Sequence, residues 1–242
     1  MKKLLPSLLL STFILTPAVS NAQEYSIDQT KRCGQNRCDM NKKPITGMVK
    51  IYYKNGNLKA EAPHKNGKED GIVRTYYNNG NLEGEETYQN GVLNGFSKTY
   101  YPNGQLKTHE VYQNDKLEGV ARSYTENGTL ETEVPYKNDQ VEGIVKIYYP
   151  NGQLQAHSSY KNSKEQGVVQ TYYENGKLKT EETYQNGILD GVFKSYYEKG
   201  GVAAEVTFQN GKGVSGFTYD VFNRKTQMNN AHLHNFAKKV SK

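Results

Sequence analysis

The side chains in this sequence that could carry chemistry are two cysteines, five histidines and a long succession of tyrosines, lysines, arginines and glutamates. Cys33 and Cys38 lie close together in KRCGQNRCD, and a metal site there would need partners that no nearby histidine or second cysteine pair supplies. In an oxidising compartment an even pair at this spacing forms a local disulfide. His232-x-His234 does not share one helix face, and His64, His109 and His157 stand singly. No serine sits in a nucleophile elbow and no phosphate loop occurs. The glutamates recur with basic residues, which makes them solvated partners rather than general acids or bases. A regular array also repeats its environment, whereas a catalytic site needs one position unlike its neighbours. The expectation is a protein that is not an enzyme, without cofactor or metal.

What positions these side chains is a repeat. A glycine recurs every 24 residues at Gly47, Gly71, Gly95, Gly119, Gly143, Gly167 and Gly191. A tyrosine pair follows each one, from Tyr52-Tyr53 to Tyr196-Tyr197, with Tyr124-Thr125 as the one variant. A strict period in this range means a repeat array. Each copy has two turn signals, as in Asn55-Gly56 and Asn66-Gly67, so each copy is read as two strands. With Asn55 and Gly56 as the central residues of a type I′ turn, Tyr53 faces Leu58, Ile51 faces Ala60, Lys50 faces Glu61 and Gly47 faces His64. The second turn places Ala60 opposite Val73 and Tyr88 opposite Leu93.

This register brings a base opposite an acid at Lys50/Glu61, Arg74/Glu85, Arg122/Glu133 and Lys194/Glu205, each pair contributing roughly 0.2 to 1 kcal/mol. Lys98/His109, Lys146/His157 and Gln170/Glu181 depart from the pattern. His109 and His157 are two repeats apart, so four strand spacings of about 4.8 Å separate them by roughly 19 Å, too far to share a metal. The inner face reads Val49, Ile51, Tyr53, Leu58 and Ala60, with an aromatic column of His64, Tyr88, Tyr112, Tyr136, Tyr160, Tyr184 and Phe208. The frame glycine lies opposite that column, where a missing Cβ leaves room for the ring. The outer face carries the bases, the glutamates and the first tyrosine of each pair. Its residues Arg74, Tyr76, Lys98, Tyr100, Arg122, Tyr124, Lys146, Tyr148 and Tyr172 form the candidate partner-binding face, because tyrosine and arginine are enriched where proteins meet.

Apolar residues make up only 35% and mean hydropathy is −0.87, values that would suggest disorder in an aperiodic chain. Periodicity overturns that reading, and the expected core is a thin one running along the sheet, supplied largely by tyrosine rings. Residues 1–22 carry Lys2 and Lys3, an apolar stretch, and small residues up to Ala22, the pattern of a secretory leader cut after Ala22. The mature chain is therefore expected in the periplasm or secreted. Removing the two leader lysines from a formal charge of +6 leaves +4, with the signs interleaved, which argues against a nucleic-acid partner. No run of 18 uncharged apolar residues exists for a transmembrane span.

Residues 23–46 are expected to form an N-terminal cap with the local disulfide, and residues 47–225 the repeat array. In residues 226–242, Leu233, Phe236, Ala237 and Val240 fall at helical spacing after Asn229 and Asn230. They predict a short C-terminal capping helix docked over the last strand, covering an edge open to strand addition. The fold class is all-β, an extended single-layer antiparallel β-meander of 24-residue hairpin repeats.

The unit G-x-V-x-x-Y-Y-x-N-G-x-L-x-x-E-x-x-Y-x-N-G, as in Gly167 to Gly187, resembles the MORN-repeat variant of bacterial proteins similar to the YwqK-type antitoxin family. The resemblance covers residues 47–214. It implies an extended sheet of hairpins and, by name, a proteinaceous antitoxin or immunity role. The expected function is an exported protein-binding module whose partner is another protein, such as a toxin or effector. Two alternatives stand beside it: envelope binding to a glycan or lipid head group, and a structural surface scaffold. The string Y-Y-x-N-G is similar to choline-binding and glucan-binding repeats, but those stack tryptophans and this chain has none.

Overall fold

The structure, a computed structural model, describes residues 23–240, so the expected leader lies outside the described residues. One long open sheet of 21 strands takes up almost all of it, and a two-stranded hairpin, Thr30–Cys33 with Asn36–Asp39, sits beside the N-terminal end. Apart from the first strand, Glu24–Ser26, which runs parallel to Gly47–Tyr52, every pairing is antiparallel between neighbours in sequence. The all-β meander therefore stands as the sequence implies.

The two turns of each repeat differ in kind. At the second, Asn66 and Gly67 both have positive φ, 53° and 80°, and Lys65 pairs with Lys68, a type I′ hairpin as expected. At the first, the Gly56 N–H donates to the Tyr53 carbonyl at 2.9 Å and the Tyr53 N–H to the Asn57 carbonyl at 2.8 Å. Only Gly56, at φ 89°, is left-handed there. This is a type I turn closed by a glycine bulge, not a type I′ turn. Tyr53 consequently meets Asn57, and Leu58 comes opposite Tyr52. A bulge at Lys59 then restores Ile51/Ala60, Lys50/Glu61 and Gly47/His64 as the sequence predicts.

A second correction lies beyond the type I′ turn. Asp70 donates its N–H to the Pro63 carbonyl at 2.9 Å, and two residues are taken up before pairing resumes with Glu61/Arg74 and Ala60/Thr75. Ala60 thus faces Thr75 and not Val73. Because the slip is two residues, no side chain changes face. Its consequence is that Glu61 has a base on each side, Lys50 on one strand and Arg74 on the next.

The frame glycine does sit opposite the aromatic column, as at Gly71/Tyr88 and Gly95/Tyr112. The reason differs from the expected one. Gly95 has φ 140°, and a Cβ there would lie 2.7 Å from the Cβ of Thr87. Backbone conformation and the neighbouring threonine exclude a side chain, rather than the ring of Tyr112.

The second tyrosine of each pair ties one repeat to the next. Tyr53 donates its hydroxyl to the Tyr76 carbonyl at 2.7 Å, and Tyr77, Tyr101, Tyr149, Tyr173 and Tyr197 repeat the bond to Tyr100, Tyr124, Tyr172, Tyr196 and Tyr219 at 2.6 to 2.8 Å. Thr125 interrupts the series, since its hydroxyl turns back to the Thr129 carbonyl at 3.4 Å. On the other rim, the type I′ turns are stitched through the backbone, as in Gly91 N–H to the Glu69 carbonyl at 2.7 Å.

A continuous thin core is not what forms. The buried apolar side chains gather at the two ends, with Cys38, Ile45 and Val49 at one and Phe193, Val206, Phe208 and Leu233 among those at the other. A single layer leaves both faces of the middle repeats open to water, and their tyrosines are only half-buried. The inner face there is also partly acidic, because Tyr88, Tyr112 and Tyr184 donate to Glu86, Glu110 and Glu182 at 2.9 Å. Burial, then those bonds, raises the Tyr112 hydroxyl to about 12.

Each end has its own cap. The N-terminal hairpin is closed by the Cys33–Cys38 disulfide, with Cα atoms 5.9 Å apart, and Arg37 donates its N–H to the Gly67 carbonyl at 2.7 Å. At the far end, Asn229 caps the helix α1 (Asn230–Val240) by accepting the His232 N–H at 2.9 Å. Leu233, Phe236 and Ala237 pack on the inner face, with Phe236 edge-on to Phe193 at 5.1 Å. The helix lies along the strand Lys212–Tyr219, where Gly216 makes room for Leu233. It does not cover the last strand: Lys225–Gln227 stays exposed at the sheet edge. The apolar stripe of the helix packs on the buried cluster of Phe193, Val206 and Phe208.

Candidate binding face

On the outer face the repeat builds three parallel rows. The middle row is a charge ladder with one residue per strand, running Lys50, Glu61, Arg74, Glu85, Lys98, His109, Arg122, Glu133, Lys146, His157, Gln170, Glu181, Lys194 and Glu205. Arg74 pairs with Glu85 at 2.9 Å and reaches Glu61 at 3.6 Å. Arg122 meets Glu133 at 2.9 Å, and Lys146 approaches the same carboxylate at 3.7 Å. These pairs are half-exposed, so each contributes at most about 1 kcal/mol.

The second row holds the first tyrosine of each pair, and its hydroxyls cap the ladder. Tyr76 donates to Glu61 at 2.9 Å, Tyr100 to Glu85 at 3.1 Å and Tyr148 to Glu133 at 3.0 Å. Partial burial, reinforced by the Glu61 carboxylate, pushes the Tyr76 hydroxyl up to about 12. Burial pushes Glu133 upward, but the bonds from Tyr148 and Arg122 outweigh it and hold the carboxyl below its ordinary range. Tyr172 has no glutamate to meet. It stacks on His157 with centroids 5.9 Å apart and donates to Gln170 at 3.0 Å. By the 15-residue spacing of the Tyr148–Glu133 bond, Tyr124 corresponds to His109, and among the described residues its hydroxyl has no such carboxylate partner.

The candidate residues Arg74, Tyr76, Lys98, Tyr100, Arg122, Tyr124, Lys146, Tyr148 and Tyr172 thus lie in two adjacent rows of one face. Their side chains are mostly turned toward one another, not stretched into solvent.

The third row escaped the sequence reading. Two residues before each base, or before Gln170 in the sixth copy, stands an apolar side chain, Met48, Ile72, Phe96, Val120, Ile144, Val168 or Val192, and strand alternation puts it on the same face. Val111 joins the row opposite Phe96. Ile144 is 52% exposed, Val168 46%, Val192 41% and Val111 38%. Counting back by two from Arg74 or Lys146 would have found them. The outer face is therefore apolar along one rim, charged along its centre and aromatic along the other rim.

Among the described residues the single-layer sheet encloses no site and leaves one striped face uncovered. The chain belongs to the MORN repeat variant family, whose model matches residues 45–66, 69–90, 93–114, 117–138, 141–162, 165–186 and 189–210. MORN repeats are generally protein- or membrane-binding modules and not typically catalytic. No curated protein matches the chain. Among the described residues no helix is long and apolar enough to cross a membrane.

Proposed function

We propose that this chain is an exported protein-binding module that holds another protein along its outer face, through Arg74, Tyr76, Lys98, Tyr100, Arg122, Tyr124, Lys146, Tyr148 and Tyr172 together with the apolar row beside them. The observation that carries the reading is that apolar row. Ile144, Val168 and Val192 stay exposed on the face that also bears the charges and tyrosines, while the C-terminal helix packs on the other face. A contiguous apolar stripe rimmed by polar groups marks an interaction surface. The charge ladder beside it is nearly balanced, which favours a protein over an anionic membrane, whose attraction rests on clustered basic residues. The Cys33–Cys38 disulfide suits an oxidising compartment. Following the resemblance of the repeat, the partner is a toxin acting in the envelope and the chain is its immunity protein.

Immobilised wild-type protein should retain a specific polypeptide from the envelope or secreted fraction, and an Ile144→Asp, Val168→Asp double variant should not. Deletion of the gene should leave cells more sensitive to that polypeptide. Equal retention by both proteins, with unchanged sensitivity on deletion, would sink the proposal. Retention of peptidoglycan or of vesicles in place of protein would support the envelope-binding alternative.

A further inference from the structure

The charge ladder is broken in one place in a way that its own chemistry makes specific. Elsewhere a glutamate stands between two bases and accepts a tyrosine hydroxyl, as Glu85 does between Arg74 and Lys98, with Tyr100, and as Glu133 does between Arg122 and Lys146, with Tyr148. His109 takes that position between Lys98 and Arg122. Three basic side chains therefore stand on consecutive strands, spanning about 10 Å for two strand spacings. Among the described residues Lys98 has no salt-bridge partner, and its ammonium lies 4.7 Å from the centre of the Phe96 ring. Among the described residues the hydroxyl of Tyr124, which by the repeat spacing would cap the missing carboxylate, has no hydrogen-bond partner. Phe96, Val111 and Val120 provide an apolar shelf along the strands from the three bases. The other histidine in the ladder leaves no such gap, because Tyr172 stacks on His157 and bonds to Gln170.

We infer that Lys98, His109, Arg122 and Tyr124 form a carboxylate-binding site, which receives an acidic side chain of the partner protein with an adjacent apolar residue seated on Phe96, Val111 and Val120. This rests on the outer face being the binding face and names the chemistry it selects. The partner supplies the glutamate that the repeat omits, and a carboxylate there accepts from the same kinds of donor, a basic side chain and a tyrosine hydroxyl, that hold Glu85 and Glu133.

The site is pH-sensitive. Burial, then the charges of Lys98 and Arg122, holds the His109 imidazole below its ordinary value and so favours the neutral ring in the free protein. Glu133 and Glu85 lie beyond the two bases and are already paired, Lys107 and Val111 flank His109 on its own strand, and Glu118 stands opposite Val111. An incoming carboxylate favours the protonated ring, so binding takes up a proton and tightens as pH falls.

The test uses the mature full-length protein and a fluorescein-labelled peptide of alternating glutamate and leucine, read by anisotropy. His109→Glu restores the repeat's own pattern, so it should fold with a thermal midpoint no lower than wild type and bind at least tenfold more weakly. His157→Glu should bind like wild type. Wild-type binding should be several-fold tighter at pH 5.5 than at pH 8. Equal binding by wild type and His109→Glu would overturn the inference, and so would absence of peptide binding to wild type. Phosphatidylglycerol vesicles that bind wild type but not His109→Glu, where the peptide fails, would overturn it in favour of a lipid head group. If Ile144→Asp abolishes peptide binding while His109→Glu does not, the site fails and the broader reading of the outer face stands. If neither variant matters, both fail.

Discussion

Thr125 is the one second-position residue without a tyrosine ring, and its replacement by tyrosine should stabilise the array. In six copies this side chain carries a hydroxyl that donates to a backbone carbonyl of the following repeat at 2.6 to 2.8 Å. At Thr125 the corresponding acceptor is the carbonyl of Tyr148, 23 residues on, by the spacing of the Tyr101 and Tyr149 bonds. A typical net hydrogen bond contributes about 1 kcal/mol. Half-burying the added ring removes on the order of 50 Å² of apolar surface from water, which at about 25 cal/mol per Å² adds about 1 kcal/mol. Thr125→Tyr should therefore gain about 2 kcal/mol, and Tyr149→Phe, which loses only the hydroxyl, should lose about 1 kcal/mol. Urea denaturation gives both numbers. Because repeat arrays respond through nearest-neighbour junctions, amide exchange should be fastest in wild type where the fourth repeat meets the fifth, and slow there in Thr125→Tyr. A Thr125→Tyr protein no more stable than wild type, with exchange unchanged at Tyr124 to Tyr148, would show that these bonds do not couple the repeats.

Three further outcomes follow from the fold. Gly95→Ala places a Cβ 2.7 Å from Thr87 at φ 140° and should destabilise by more than about 2 kcal/mol, whereas Gly119→Ala, with open space around it at φ 74°, should lose about 1 kcal/mol. Urea midpoints distinguish the two. Leu233→Ala should cost about 3 kcal/mol and free α1 from Phe193 and Val206, seen as faster amide exchange in Phe193, Val206 and the helix together. Glu181 is held below the usual carboxyl range, first by the Tyr196 hydroxyl and then by Gln170, and Glu133 is also depressed. A depressed folded value means that the stabilisation is complete above the unfolded value of about 4.3 and is lost as pH falls through the folded one. The urea midpoint should drop between pH 4.5 and pH 3 in wild type, and by less in Glu133→Gln.

The period, the antiparallel hairpins and the glycine opposite each aromatic were legible because each repeats seven times, and the base–acid pairs because four of the seven copies carry one, each feature with one dominant physical cause. What escaped depends on alternatives that sequence encodes alike. Asn55-Gly56 suits a type I′ turn and equally a type I turn with a glycine bulge, and only the hydrogen bond from Gly56 to Tyr53 separates them. The two residues taken up near Asp70 preserve the face of every side chain, so no misplaced apolar residue betrays the slip between Val73 and Thr75. That slip hid the continuous ladder, and with it the meaning of His109, which looked like one departure among three. The apolar row was legible by alternation from Arg74 to Ile72, but a single apolar residue per strand carries no signal of its own beside the charges and aromatics. The helix was legible from its spacing, while its seat was not, since the depth of the Phe193, Val206 and Phe208 surface is set by pairing and not by local sequence.

The most direct measurement is a map of where a captured partner protects this chain from hydrogen exchange and cross-linking. The account predicts protection along the outer face, with cross-links at Lys98 and Lys146 and loss of capture in Ile144→Asp, Val168→Asp. Protection of the inner face around Tyr112 and Tyr136, with capture intact in that double variant, would contradict it.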